Sequence, residues 1–504
     1  MGATTLTGAV IGVKAHPVEV EADLARRLPR TTIVGLPANS VRESVERVRS
    51  AIVAAEFEYP CKRVTINLAP ADIRKGGTGF DLPIALAVLA AKGDIPKDLL
   101  HRYAFAGELS LSGELRAVPG ALPLAMLAAE RGLDGIILPS ACAAQAALVP
   151  GVRAWSADSL SEVVAWLRGE GKLPEARAPI LLRRVDSNDM AEVRGQGIAK
   201  RALEIAAAGG HNVLLIGPPG CGKTMLAARI ASILPPMTFE EALEATRVHS
   251  VAGLLDNGGG LLEDRPFRCP HHSISTAGLL GGSKLTPGEA SFAHNGVLFL
   301  DEMPEFSRQV LELLRAPLES GEIILARAAG TVRLPADFTL IAAANPCPCG
   351  YLGDRRHPCR CTDSQVQRYR SRMSGPLLDR IDLHVQVGSL DGDALYGAEA
   401  TEPSRKIRGR VEAARRMQVA RYEDMPIACN AQLDGPQVRA AARPTQPARR
   451  MLRDAAEKMG LSGRAHDRVL KVSRTIADLD GVGVVDLHHV AEAIAFRTQS
   501  EVSP

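Results

Sequence analysis

The sequence contains no apolar run long enough to cross a membrane, no internal repeat and no long low-complexity tract. A membrane-spanning helix needs about 20 consecutive apolar residues, and the first residues, MGATTLT, have neither the basic nor the apolar segment of a secretory signal. The net charge is also small, because 60 lysines and arginines nearly balance 57 aspartates and glutamates. We therefore expect a cytoplasmic protein without a membrane partner, in which any nucleic-acid contact depends on locally concentrated positive charge.

The cysteine content argues against a secreted, disulfide-bonded protein. Nine cysteines, an odd number, occur in a chain of 504 residues. In a large chain this predicts reduced thiols in the cytosol.

The length predicts several domains, because 504 residues are too many for one hydrophobic core. Residues 1–170 mix short strands with alanine- and leucine-rich helices, and the polar, proline-bearing stretch 171–189 is typical of a linker. Strands and helices alternate over residues 190–392, which predicts a parallel α/β sheet. Residues 393–504 begin with a basic segment and continue with helical periodicity. One helix there follows the N-cap Asp486, with Leu487, Val490, Ile494 and Phe496 on one face.

The strongest chemical signal is the segment 217–224, GPPGCGKT, which matches the phosphate-binding pattern GxxxxGK[ST]. An apolar strand at 213–216 precedes it and a helical segment follows it, as this pattern requires. The glycines let backbone N–H groups turn toward a phosphate, the lysine can reach the β- and γ-phosphates, and the threonine can ligate Mg²⁺. The predicted nucleotide-binding residues are Gly217, Pro218, Pro219, Gly220, Cys221, Gly222, Lys223, Thr224 and Asp301.

Two further strands are expected to end beside this loop. The apolar run 297–300 ends in Asp301 and Glu302, and the run 338–344 ends in Asn345. Asp301 is predicted to hold a magnesium ion together with the threonine, and Glu302 to orient or deprotonate the attacking water. Two acids after a strand are common, so this prediction depends on their pairing with the phosphate loop. Asn345 is predicted to lie near the γ-phosphate and to help place the water.

The order of these motifs, followed by 377–382 (LLDRID), resembles that of AAA+ ATPases. The resemblance implies that Arg380 is an arginine finger reaching into a neighbouring subunit, and a finger acting in trans implies a ring, here a homo-hexamer. It also implies a helical C-terminal lid with Arg464 as second sensor, and Arg474 as the alternative. Residues 193–196 (VRGQ) resemble the segment that packs against adenine. A purely structural role for Arg380 stays open.

The number of residues between the phosphate loop and Asp301 narrows the resemblance to one group of AAA+ proteins. Extra residues around 269–284 precede a helix predicted at 287–294, and a hairpin is predicted at 323–334. The extra residues would form an insert in this helix (a helix-2 insert), and the hairpin would precede the Asn345 strand (a presensor hairpin). Both features resemble those of the clade that contains magnesium chelatase ATPase subunits and MCM helicases. In the rings of that clade, both loops point into the pore. Lys284, Arg327 and Arg333 would then meet a phosphate backbone, unless they are ordinary solvated charges. His271 and His272 have no partners at metal-ligand spacing, and we interpret them as structural or pore-loop residues.

The N-terminal region is similar to the peptidase domain of Lon at 105–120 and 127–132, which implies an α+β fold for residues 1–170. A Ser–Lys peptidase needs a hydroxyl nucleophile and an amine that takes its proton. The corresponding region 76–83 (GGTGFDLP) contains no serine, and Pro123 stands about where the lysine belongs. We therefore expect no proteolysis.

A Lon-like domain ahead of a chelatase-like AAA+ core resembles the YifB/ComM family of bacterial magnesium-chelatase-like proteins over essentially the whole chain. The resemblance implies a ring-shaped DNA motor that uses ATP and Mg²⁺ to promote branch migration in homologous recombination and natural transformation. Its partners would be branched or single-stranded DNA in the pore, further copies of the chain, and recombination proteins. The alternative is a chelatase-type AAA+ ATPase that remodels a protein partner without DNA.

Four cysteines form a compact group after the Asn345 strand: Cys347, Cys349, Cys359 and Cys361. Two close pairs of soft ligands suit a tetrahedral zinc ion, although the C-x-C spacing is tighter than the usual C-x₂₋₄-C. Nothing nearby in the sequence forms a nucleophile–base pair. A structural zinc ion and free thiols are both open interpretations, and His357 is either a substitute ligand or an ordinary loop histidine.

Overall fold

The structure, a computed structural model, describes residues 2–178, 188–255, 260–282, 285–327, 330–354, 356–389 and 401–498. Residues 179–187 of the predicted linker and the predicted boundary between 392 and 393 lie outside these ranges, so the domain limits stay predictions. In the described ranges, each helix is too short or too polar to cross a membrane.

A mixed sheet organises the N-terminal region. Its strands and those of a small ribbon are β1 (Ala3–Ile11), β2 (Lys14–Ala25), β3 (Arg30–Val34), β4 (Arg63–Ala69), β5 (Tyr103–Phe105), β6 (Glu108–Leu109), β7 (Leu115–Arg116), β8 (Gly135–Pro139) and β9 (Arg153–Ala157). The sheet order is β3-β4-β2-β1-β5-β8-β9, and β6 pairs with β7. β2 runs antiparallel to β1 and β4, whereas β1, β5, β8 and β9 are parallel. The helices are α1 (Asn39–Ala54), α2 (Asp81–Lys92), α3 (Ala121–Glu130), α4 (Ser140–Ala146) and α5 (Leu160–Leu167).

Local sequence explains how these elements pack. Burial alternates along β1, so that Ala3, Thr5, Thr7 and Ala9 face inward, as expected for a strand with one covered face. In contrast, α2 is buried over residues 81–90, because its sequence is apolar on all sides. This helix ends at Gly93, whose φ of 98° is the left-handed conformation that glycine adopts without strain.

The central region contains β10 (Val213–Ile216), β11 (Phe267–Arg268), β12 (Val297–Leu300), β13 (Glu322–Arg327), β14 (Gly330–Pro335), β15 (Thr339–Ala344) and β16 (Leu383–Gln386). Five of these strands form a sheet in the order β11-β12-β15-β10-β16, and its neighbours are all parallel. The three central strands, β12, β15 and β10, are almost wholly buried, which is typical of a parallel sheet covered by helices on both faces. The predicted parallel α/β core is therefore confirmed.

The helices of the central region are α6 (Gly197–Gly209), α7 (Lys223–Ala228), α8 (Phe239–Val251), α9 (Thr276–Leu280), α10 (Glu289–Phe292), α11 (Arg308–Leu313), α12 (Pro317–Ser320), α13 (Asp363–Arg370) and α14 (Gly375–Leu378). Short 3₁₀ turns lie at Met190–Glu192, Arg229–Ser232 and Met303–Glu305.

The predicted hairpin is present, because β13 and β14 pair antiparallel from Glu322 opposite Pro335 to Arg327 opposite Gly330. The helix predicted at 287–294 is shorter, and only α10 is helical. Pro287 instead forms an isolated bridge with Gly281, and Asn295, with φ of 58°, ends the helical conformation.

The C-terminal region is helical, as predicted. It consists of α15 (Ser404–Arg421), α16 (Gly435–Ala442), α17 (Gln446–Met459), α18 (Gly463–Leu479) and α19 (Leu487–Thr498), with a 3₁₀ turn at Asn430–Gln432. Asp486 caps α19 by accepting the Leu487 N–H at 2.7 Å. Val490 and Phe496 are buried, but Leu487 is 42% exposed.

The N-terminal region packs against the hairpin through the turn between β1 and β2. Val13 in that turn is buried in the same apolar cluster as Leu325 and Leu334 of the hairpin. A Cβ atom on Gly12 would lie 2.2 Å from a methyl carbon of Val332. The hairpin is therefore held on one side by the N-terminal region.

This contact predicts a difference between two glycine substitutions. Gly12 and Gly132 have nearly equal φ values of 62° and 63°, so alanine at either position pays a similar left-handed strain of about 1–2 kcal/mol. Only at Gly12 does the new methyl group clash, since nothing lies within 4 Å of a Cβ atom at Gly132. We expect Gly12→Ala to cost roughly 1–3 kcal/mol more than Gly132→Ala. Equal shifts in thermal unfolding would contradict the contact.

Candidate active site

The phosphate loop connects β10 to α7, and glycine is required at several of its positions. A Cβ atom on Gly217 would lie 2.1 Å from the Val387 carbonyl oxygen. Gly220 and Gly222 have φ values of 75° and 91°, in the left-handed region. The predicted loop therefore has the backbone conformation that its sequence pattern demands.

Lys223 crosses the loop from the start of α7. Its ammonium group donates hydrogen bonds to the carbonyl oxygens of Gly217 at 2.7 Å and Pro218 at 2.9 Å, and to Oδ1 of Asn345 at 3.2 Å. Burial lowers the pKa of Lys223. The structure therefore brings the lysine of the loop together with the predicted polar residue at the end of β15.

The two acids lie at the end of β12, on the other side of β15. The Thr224 hydroxyl donates to Oδ2 of Asp301 at 2.7 Å. The hydroxyl and the carboxylate both offer hard oxygen ligands, the type that Mg²⁺ prefers. The two residues therefore fit a magnesium ion. Glu302 has a φ of 52°, and its side chain is 57% exposed. Its carboxylate is thus accessible to a water molecule.

These residues line a single cavity of about 400 Å³. Its walls include Gly220, Lys223, Thr224, Asp301, Glu302 and Asn345. The predicted adenine segment lies against the same loop, because the Gln196 side-chain amide donates to the carbonyl oxygens of Gly388 at 2.8 Å and Cys221 at 3.4 Å.

Three regions of the chain match protein-family models, and all three models describe magnesium chelatase subunit ChlI. Residues 189–395 match the family described as magnesium chelatase, subunit ChlI, residues 20–142 match subunit ChlI of Mg-chelatase, and residues 401–497 match the subunit ChlI C-terminal family. YifB of Escherichia coli (strain K12) is 43% identical over 497 residues, which cover 97% of this chain and 96% of YifB. The competence protein ComM of Haemophilus influenzae is 44% identical over 498 residues, with the same coverage of both chains.

The chain belongs to the YifB/ComM family of magnesium-chelatase-like proteins. A more distant relative, the magnesium-chelatase 38 kDa subunit of Cereibacter sphaeroides, is 26% identical over 171 residues, or 30% of this chain and 51% of that subunit. The parallel core and helical C-terminal region fit the AAA+ magnesium-chelatase-like fold of this family.

The two predicted arginines lie away from the phosphate loop of their own chain. Arg380 donates to Oε2 of Glu319 at 2.6 Å and to the Pro376 carbonyl at 2.8 Å. It lines a second cavity, of about 720 Å³, between the central sheet and the C-terminal helices, and Arg464 lines the same cavity. Within one chain, neither arginine is thus placed to act on the phosphate loop, and their roles stay predictions.

Arg474, the alternative second sensor, is completely buried. Its guanidinium group pairs with Asp478 at 3.0 Å and donates to the Gly483 carbonyl at 2.8 Å. Its described contacts thus lie within the helical region.

The hairpin arginines are exposed, as a pore contact would need. Arg333 is paired with Glu322 at 3.3 Å and is 72% exposed, and Arg327 lies at the end of β13. Lys284 lies outside the described residues.

His272 lies beside the predicted site residue Glu302, a placement that the sequence interpretation missed. Its Nδ1 atom lies 4.0 Å from Oε2 of Glu302, and its ring meets Phe306 edge-on. The ring of His271 lies 4.1 Å from that of His272. The sequence signal for this placement was the position of His272 just after β11. Because β11 runs parallel to β12, the segments that follow the two strands leave the sheet at the same edge, where Asp301 lies.

The four cysteines are close together, and their sulfur atoms lie within 4.8 Å of one another. Backbone N–H groups of Arg360 and Tyr351 lower the pKa of the Cys349 thiol to about 6. His357 is not part of this group and packs on Tyr351 instead. In the described part of the chain, Asp480, His488 and His489 form a second such group, two of its members being exposed.

The contact between His272 and Glu302 predicts a positioning role. If Glu302 activates water, His272→Ala should lower kcat about tenfold. A general base contributes about 10²–10⁴-fold to the rate, and the loss of a residue that only positions it should remove part of that. The affinity for nucleotide should stay unchanged. His101, exposed on the N-terminal region, supplies the control substitution His101→Ala. Equal kcat values for both variants would show that His272 does not support Glu302.

Proposed function

We propose that this chain hydrolyses ATP with Mg²⁺. The observation that carries the proposal is the convergence of Lys223, Thr224, Asp301, Glu302 and Asn345 on one cavity. Their residue types are those that bind a triphosphate, hold its metal ion and place a water molecule.

The geometry suggests how each residue acts. Lys223 exchanges the loop carbonyls for phosphate oxygens, which are stronger acceptors because they are charged. Thr224 and Asp301 would hold a magnesium ion, which would neutralise phosphate charge. Exposed Glu302 accepts the proton of the attacking water. Asn345 shares the lysine contact and orients that water near the γ-phosphate.

We further propose that the active form is a homo-hexameric ring in which Arg380 completes the site of the next subunit. Its present partner is the carboxylate of Glu319, which is 63% exposed. A phosphate of a neighbouring subunit is an acceptor of the same charge type and could replace it. Arg464 lines the same cavity and would face the same neighbour.

The substrate of the motor is proposed to be branched or single-stranded DNA, translocated through the ring pore in recombination and natural transformation. The support is the 44% identity to a protein named competence protein ComM and the exposed arginines of the hairpin. Recombination proteins would be further partners. Residues 1–170 would be a Lon-like domain without the Ser–Lys dyad, joined through 171–189 to a core at 190–392 and a lid at 393–504.

The alternative is a chelatase-type ATPase that remodels a protein partner without DNA. It is favoured by the family matches, which are described throughout as parts of a magnesium chelatase subunit. The N-terminal region is included in this, because residues 20–142 match a family described as subunit ChlI of Mg-chelatase. Against this alternative, the 38 kDa chelatase subunit matches only 30% of this chain.

A branch-migration assay separates the two functions. With a labelled four-stranded DNA junction, wild type should release product only with ATP, and Lys223→Ala should release none. Loss of the lysine should also lower ATPase activity by about 100-fold or more, since it removes a charged contact to the transferred phosphate. ATPase activity that no DNA stimulates, with no junction product, would favour the chelatase-type function.

The finger assignment predicts complementation between two inactive variants. Arg380→Ala should bind ATP normally and lose about 10³-fold or more in turnover. When it is mixed with Lys223→Ala, some sites pair an intact phosphate loop with an intact neighbouring arginine, and activity should return. Arg131→Ala, at an exposed position of the N-terminal region, is the control for loss of a positive charge. Mixtures as inactive as their components would rule out action in trans.

A further inference from the structure

The sulfur atoms of the four-cysteine group are spaced like the corners of a metal site. Cys347 lies 3.4 Å from Cys349 and 3.6 Å from Cys359, and Cys349 lies 3.6 Å from Cys359, measured between Sγ atoms. A disulfide needs about 2.05 Å, and no pair approaches this length. Four sulfurs at about 2.3 Å from one zinc ion are about 3.8 Å apart. One tetrahedral ion therefore fits these separations closely.

Backbone N–H groups point toward two of the sulfurs. The backbone N–H of Cys349 donates to the Cys361 sulfur and that of Cys361 to the Cys359 sulfur, both at 3.4 Å. Such bonds stabilise negative charge on coordinating sulfur and fix its direction. Cys347 is completely buried, so the site is closed on one side.

The loop that carries the first two cysteines rests on the phosphate loop. A Cβ atom on Gly350 would lie 2.5 Å from the Pro219 ring. The Gly350 N–H donates to the Cys347 carbonyl at 2.9 Å, which ties this contact to the cluster. Beyond the last cysteine, Tyr369 of α13 interacts with the backbone of Asn345. The cluster thus joins two segments that both touch the predicted nucleotide site.

We propose that Cys347, Cys349, Cys359 and Cys361 bind one structural zinc ion, and that the loaded cluster braces the phosphate loop through the contact of Gly350 with Pro219. Metal loss would free the Gly350 turn and loosen the loop that has to hold its backbone N–H groups toward phosphate. The bracing part rests on the proposed ATP binding, whereas the zinc site does not.

The zinc site is tested on the purified full-length protein by elemental analysis without chelators. We expect about one zinc per chain, four thiols that become titratable only after metal removal, and no zinc in the double variant Cys347→Ser/Cys359→Ser. Replacement by Co²⁺ should give the intense near-ultraviolet absorption of a cobalt–thiolate bond. Cys61→Ser, at an exposed cysteine of the N-terminal region, should keep its zinc. Wild-type protein without stoichiometric metal, or with iron in place of zinc, would overturn the assignment even if the serine variant does not fold.

The brace is tested by two glycine substitutions in the same loop. Gly350 and Gly353 have φ values of 86° and 81°, but nothing lies within 4 Å of a Cβ atom at Gly353. Both variants should keep their zinc. Gly350→Ala should bind a fluorescent ATP analogue about tenfold more weakly, which corresponds to the loss of one hydrogen bond to a charged group. Gly353→Ala should bind the analogue like wild type. Equal affinities would overturn the brace. Wild type that contains zinc but binds no nucleotide would overturn the proposed function alone.

Discussion

Parallel pairing of β12, β15 and β10 holds the chemical groups of this protein together. Ile216 at the end of β10 lies opposite Ala344 at the end of β15, and Leu300 at the end of β12 lies opposite Ala342. Asn345 therefore projects beyond Asp301 at the same edge of the sheet. Because parallel strands end at a common edge, the phosphate loop, the two acids and the amide meet there.

A second set of contacts connects this sheet to the helical region. His211, just before β10, pairs through Nδ1 with Asp382 at 3.0 Å and through Nε2 with the Thr475 hydroxyl of α18 at 2.8 Å. Burial acts to raise the pKa of Asp382, but the hydrogen bond to His211 holds it below its usual range. Asp382 lies two residues after Arg380. The segment that carries the predicted finger is therefore held by the central sheet and by the helical region.

The insert and the four-cysteine loop also reach the site from outside the sheet. His272 lies beside Glu302, and Gly350 lies against Pro219. Both segments follow strands of the central sheet, β11 and β15, and both leave it at the edge where the nucleotide would bind. Each segment thus places one residue beside a group of the predicted site. Changes in either segment would reach Glu302 or the phosphate loop directly.

The sequence by itself determined the phosphate loop, the acids, Asn345 and the parallel core, because each depends on a short contiguous pattern with a known backbone requirement. It also indicated the family and the compact cysteine group. Only the tertiary structure decided that Arg380 and Arg464 share a cavity away from their own phosphate loop, that Arg474 is buried, and that His272 meets Glu302. These placements join residues far apart in the chain, so they depend on how helices and loops pack against the sheet, which the motifs themselves do not specify.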